Sequence, residues 1–140
     1  MATRVHAAQT VGLTAHVVDV EVDLSRGLHA FSIVGLPDKA VEESKDRISA
    51  AIKNTGFVSP QTQNQRITVS LAPADLRKEG PAFDLPIALA YLLASKQIAF
   101  DCAKRLFIGE LALDGGVRPV RGVLLAVREG SGRAVGKASS

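Results

Sequence analysis

The chain has 140 residues, 46% of them hydrophobic and 22% charged, with a formal net charge of +3. That is the composition of one globular domain and excludes a disordered chain. A single cysteine, Cys102, rules out an intrachain disulfide framework and a cysteine-rich metal site. No apolar stretch approaches the roughly 20 residues of a membrane span, so a soluble protein of the reducing cytoplasm is expected.

The first nine residues carry one Arg and no long apolar run, which excludes a secretory signal. Residues 17–24 then alternate strictly, with Val18, Val20, Val22 and Leu24 on one side and Asp19, Glu21 and Asp23 on the other; this is a half-buried strand. After Ser25-Arg26-Gly27, residues 30–34 form a second β-prone run, and the pair reads as an antiparallel hairpin. Leu36-Pro37-Asp38 starts a helix, with Asp38 its candidate N-cap. Val41, Ile48, Ala51 and Ile52 share one face of it, and Asn54-Thr55-Gly56 ends it with Gly56 suited to a left-handed position. A polar loop over 59–65 leads to a third strand at 66–72, where Ile67, Val69 and Leu71 alternate. The loop 73–81 precedes a second helix, capped by Asp84, with Pro86 in its first turn and a broad apolar face of Leu85, Ala88, Leu89, Leu92 and Leu93. Residues 106–113 read as a strand, Asp114-Gly115-Gly116 as a turn, and 117–120 as the return. A short helix is predicted from 123 to about 128. The Gly-, Ser- and Lys-rich stretch 130–140 reads as a flexible or truncated tail, leaving a domain at 1–129. The order gives an α+β fold: a mixed β-sheet with two main helices.

Four segments carry a family resemblance. They are G-L-H-A-F-S-I-V-G-L-P-D at 27–38, E-S-K-D-R at 43–47, L-A-P-A-D-L-R-K-E-G at 71–80, and F-D-L-P-I-A at 83–88. In this order and spacing they resemble the N-terminal domain of the ComM/YifB family of magnesium-chelatase-like AAA+ ATPases, from about residue 5 to 127. Ser70 departs from the Asn expected in many relatives. The resemblance implies a fold similar to the Lon protease domain, of the ribosomal S5 domain 2-like type. Lys78-Glu79-Gly80-Pro81-Ala82 is similar to the loop that holds Lon's nucleophilic serine, and the region from Gly109 to Gly122 to the approach to its catalytic lysine. A Ser–Lys dyad needs a hydroxyl nucleophile and a lysine held neutral as base. Ala82 and Ala126 stand at those positions, so no proteolysis is expected and no catalytic residue is assigned.

Other chemistry finds little footing. No G-x-S-x-G elbow occurs, and His6, His16 and His29 form no short metal motif. Asp19, Glu21 and Asp23 share a strand face that could hold a hard cation, but a solvated face has the same pattern; no metal site is assigned. Gly132 to Ala138 fails as a phosphate loop, having three residues between its glycines and Ala after the lysine. No cofactor is therefore assigned to this segment.

The resemblance places ATP and Mg²⁺ in a downstream AAA+ module of the parent protein, in cis, and implies a homo-hexameric ring. It implies DNA as a ligand, handled in ATP-driven branch migration during natural transformation. Candidate phosphate contacts are Arg77, Lys78, Lys104, Arg105, Arg118 and Arg121. A protein-interaction or oligomerisation module without DNA binding is the alternative. A helper role in magnesium chelation stands behind both, because the matching segments are those of the ComM/YifB domain.

Overall fold

In a computed structural model, residues 2–11, 14–60, 64–74, 76, 78, 80–100 and 106–118 are described. Their elements run β1 (Ala2–Val11), β2 (Thr14–Arg26), β3 (Ala30–Val34), α1 (Asp38–Asn54), β4 (Gln65–Ala72), a 3₁₀ turn (Gly80–Phe83), α2 (Asp84–Ala94), β5 (Glu110–Leu111) and β6 (Val117–Arg118). The fold class is α+β, with a mixed four-stranded sheet and two helices, as the sequence predicts.

The alternation around Val20 becomes β2, with Val18, Val20 and Val22 fully buried. Its first partner is β1, in antiparallel register with Val5 opposite Val20, His6 opposite Asp19 and Arg4 opposite Glu21. The predicted hairpin between β2 and β3 is corrected. The sheet order is β1-β2-β4-β3, so β4 lies between them, antiparallel to β2 and parallel to β3. β2 and β3 do run in opposite directions, but they exchange no ladder. The reason lies in α1: a helical crossover from β3 to β4 lets those strands pair in parallel.

α1 and α2 cover one face of the sheet, and the buried cluster of Val5, Val20, Val22, Ile33, Ile48, Ile67, Val69, Ile87 and Tyr91 fills the layer between. Each fully buried aliphatic side chain of this kind contributes about 1.5–3 kcal/mol. The opposite face carries exposed polar side chains, among them Arg4, Asp23, Ser32, Arg66, Thr68 and Ser70.

α1 buries Ile48, Ala51 and Ile52 as predicted, and also Ser44 and Ser49. It closes with the Phe57 N–H donating to the Ile52 carbonyl and the Gly56 N–H to that of Lys53; Gly56, at φ +90°, takes the expected left-handed conformation. Gly35 is required for a different reason. At φ +108°, a Cβ there would stand 2.8 Å from the Leu71 carbonyl oxygen. Neither Asp38 nor Asp84 caps a helix. Pro37 and Phe83 occupy the N-cap positions, and no side-chain cap bond is made at either.

The predicted strand at 106–113 shrinks to β5. Ahead of it, Leu106 makes one parallel bridge to His6, with the Phe107 N–H donating to the His6 carbonyl. Asp114-Gly115-Gly116 turns the chain into β6, with Leu111 opposite Val117. The predicted helix at 123–128 and tail at 130–140 lie outside the described residues. No helix among the described residues is long and apolar enough to cross a membrane.

Candidate functional site

The 3₁₀ turn Gly80–Phe83 and the residues touching it form the region that the sequence compares with a serine-protease loop. Ala82 packs against Ala8, Leu106 and Ile108. Its carbonyl accepts from the Gly109 N–H, and the Gly109 carbonyl accepts from the Leu85 N–H. A methyl group at position 82 offers no nucleophile, and here it serves packing. Ala126, the other candidate for a lost catalytic position, lies outside the described residues. Gly109 is held tightly. A Cβ there would meet Val117 Cγ1 at 2.7 Å and Leu85 Cδ2 at 3.2 Å.

Directly after this turn stands a buried polar cluster that sequence reasoning missed. Asp84 is 0% exposed. Arg47 Nε donates to its Oδ2 at 2.6 Å and Arg47 Nη2 to its Oδ1 at 3.2 Å. Ser44 Oγ donates to Oδ1 at 3.0 Å, and the Leu111 N–H to Oδ2 at 3.3 Å. One carboxylate thus ties α1, α2 and β5 together. Burial pushes the Asp84 carboxyl above its ordinary value, and Arg47, Ser44 and the Leu111 N–H pull it back only in part. The Arg47 guanidinium is held charged, chiefly by its hydrogen bond to Asp84. The cluster is a pin between elements, with every carboxylate oxygen satisfied. A signal for it exists in the sequence: Ser44 and Arg47 precede Ile48 and Ala51 by helical spacings, which places polar groups beside an apolar face.

Lys78 needs correction as a phosphate contact. It is 2% exposed, and its ammonium donates to the carbonyls of Pro73 and, at 2.8 Å, Leu76. A head group turned onto backbone carbonyls braces the loop and does not face a polyanion. Arg118 lies on β6 opposite Glu110. Arg77, Lys104, Arg105 and Arg121 lie outside the described residues.

The acidic row on β2 is paired across the sheet. Arg4 Nη2 meets Glu21 Oε1 at 2.6 Å, and His6 Nδ1 meets Asp19 Oδ1 at 2.8 Å. No group of three or more His, Cys, Asp or Glu suited to a metal ion occurs among the described residues. Arg4–Glu21 is thus a cross-strand ion pair and His6–Asp19 a cross-strand hydrogen bond.

Comparison with known proteins shows the family of the chain. A family described as subunit ChlI of Mg-chelatase matches residues 20–136. The chain is 47% identical over 124 residues to competence protein ComM of Haemophilus influenzae, covering 88% of this chain and 24% of that protein. It is 42% identical over 134 residues to the uncharacterised protein YifB of Escherichia coli, covering 94% and 26% respectively. An uncharacterised protein of Mycobacterium bovis is 44% identical over 117 residues, covering 83% and 23%. The chain therefore belongs to the magnesium-chelatase-like family, and within it to the ComM/YifB proteins. It spans about a quarter of the length of these relatives.

Proposed function

We propose that this chain is a non-proteolytic DNA-handling and assembly domain of an ATP-driven ring, acting in strand exchange by branch migration. The observation that carries the reading is the 47% identity to a competence protein across 88% of the chain. ATP and Mg²⁺ are bound by an AAA+ module elsewhere in the intact protein, and the ring is a homo-hexamer. Within this domain the phosphate contacts are Arg77, Lys104, Arg105, Arg118 and Arg121. Lys78 is removed from that set by its burial. Weak contacts repeated around a ring add through avidity. Ala82 supports the non-proteolytic part, since its side chain can supply no acyl acceptor.

The test is DNA binding by the intact protein at several salt concentrations. Replacing Arg77, Arg118 and Arg121 together with Glu should lower the slope of log affinity against log salt by about 0.9 for each lost duplex phosphate contact. An unchanged affinity and slope would remove these residues from the interface.

One observation favours a second reading, assembly without DNA binding. Among the described residues β3 lies at the edge of the sheet; it contains no charged residue or proline and exposes Val34. Such an edge is suited to strand pairing with another chain. Self-association that is insensitive to salt, with no DNA binding, would support this reading over the first.

A further inference from the structure

The strand order carries the β2–β3 connection across β4. β2 ends at Arg26 and β3 begins at Ala30, with β4 between them. Residues 27–29 therefore arch over the start of β4, across two interstrand gaps of about 4.8 Å each. Arg66 of β4 is in register with Ser25 on one side and Ala30 on the other, directly beneath the arch. Its aliphatic stem packs there so closely that a Cβ on Gly27 would meet Arg66 Cδ at 3.3 Å, and Gly27 sits at φ +148°.

Leu28 stands at the top of this arch, 89% exposed. A single exposed leucine is ordinary on a protein surface. Its setting is not. Arg26 at the end of β2 and His29 next to Leu28 are both exposed, and the exposed Arg66 lies below. Residues 24–34 and 64–72 contain no Asp or Glu, although the whole chain has 14, and the acid that precedes the arch on β2 is Asp23, opposite Thr68. An apolar tip among cationic groups, with no acid in either segment, is complementary to a polyanion that also offers flat apolar surfaces. Nucleic acid has that chemistry: phosphates for the guanidinium groups, and a base step into which a leucine can wedge.

We infer that the Arg26–His29 arch is a nucleic-acid contact in which Leu28 wedges against a base step while Arg26 and Arg66 bind the flanking phosphates. This rests on the DNA-handling reading above and adds a site that the six sequence candidates did not include. Wedging a base step opens a stack locally, which is the first act needed of a domain that feeds strands into an exchange motor.

The test uses the intact protein and a duplex oligonucleotide carrying one 2-aminopurine, followed by anisotropy for affinity and by 2-aminopurine fluorescence for unstacking. Binding of the unaltered protein should brighten the 2-aminopurine. Leu28→Ala should abolish the brightening and weaken binding about tenfold, with the salt slope unchanged. Arg26→Glu with Arg66→Glu should lower the salt slope by about 2. All three positions are exposed, and circular dichroism melting checks that each variant folds. If both variants bind and brighten the probe as the unaltered protein does, the arch is not a contact, while DNA handling through other residues stands. If the unaltered protein does not bind the duplex at all, both readings fall. If the double charge reversal instead abolishes binding of a poly-glutamate peptide and leaves DNA binding intact, the arch is a protein-docking site and the nucleic-acid assignment is overturned.

Discussion

Replacing Arg47 by Met breaks the buried pin at its cationic end. The substitution keeps the aliphatic stem and removes the two bonds to Asp84, at 2.6 and 3.2 Å. Asp84, 0% exposed, is left with only the Ser44 hydroxyl and the Leu111 N–H. Removing one partner of a buried ion pair costs about 3–5 kcal/mol, because the other charge stays desolvated. For 140 residues at roughly 0.05–0.15 kcal/mol each, that is a large share of the total stability. The reverse change, Asp84→Asn, should cost less. The Arg47 side chain is 19% exposed, so its guanidinium can turn toward water. The pH dependence follows from the sign of the Asp84 shift. Burial already raises this carboxyl, and removing the guanidinium raises it further. The folded state therefore takes up a proton more readily than the unfolded state. Stability from this group is greatest below the ordinary carboxylate range and falls as pH rises through the raised value. Urea unfolding of the two variants and the parent protein, at about pH 7 and again at about pH 5, measures this. The gap between Arg47→Met and the parent should be widest at the higher pH and narrow at the lower. A gap below about 1 kcal/mol at pH 7, or one that widens on acidification, would refute the argument.

Other expectations follow from the same structure. Lys78→Met should destabilise the fold by about 1–3 kcal/mol, by leaving the Pro73 and Leu76 carbonyls without their donor, and should leave the salt slope of DNA binding unchanged; a changed slope would return Lys78 to the interface. Gly109→Ala should cost about 1–3 kcal/mol in thermal or urea unfolding, since Val117 and Leu85 must shift to admit the methyl group. A purified preparation should leave casein intact over hours, and digestion that survives a contaminant control would contradict the reading of Ala82.

Much of the fold was legible because burial on one face writes a period into the chain. Val18, Val20 and Val22 mark β2, and Ile67, Val69 and Leu71 mark β4; both strands bury the residues that the alternation selects. β1 is hard to read from sequence because the neighbours Ala7 and Ala8 are both buried, one on each face, and these small residues give neither an alternation nor a strong strand preference. The β2–β3 hairpin failed for a topological reason. Neighbours in sequence need not be neighbours in a sheet, and β4, some thirty residues on, displaces β3 from β2. Asp84 was read as a cap from its place before an apolar helix. Its carboxylate instead satisfies Arg47 and Ser44 from a helix 37 and 40 residues away, a partnership that local spacing does not reveal. Lys78 misleads for a local reason, since its charge looks solvent-facing in sequence while its ammonium turns back onto the Pro73 and Leu76 carbonyls. The arch over Arg66 was invisible until the strand order was known.

We propose that this domain handles DNA for a motor located elsewhere in the intact protein. The most direct measurement follows strand exchange on a branched DNA substrate, with ATP and Mg²⁺, by the intact protein and by its Arg77, Arg118 and Arg121 charge-reversal variant, alongside ATP hydrolysis without DNA. In the variant, hydrolysis should persist while strand exchange is lost. Exchange that continues at the unaltered rate would contradict the proposal.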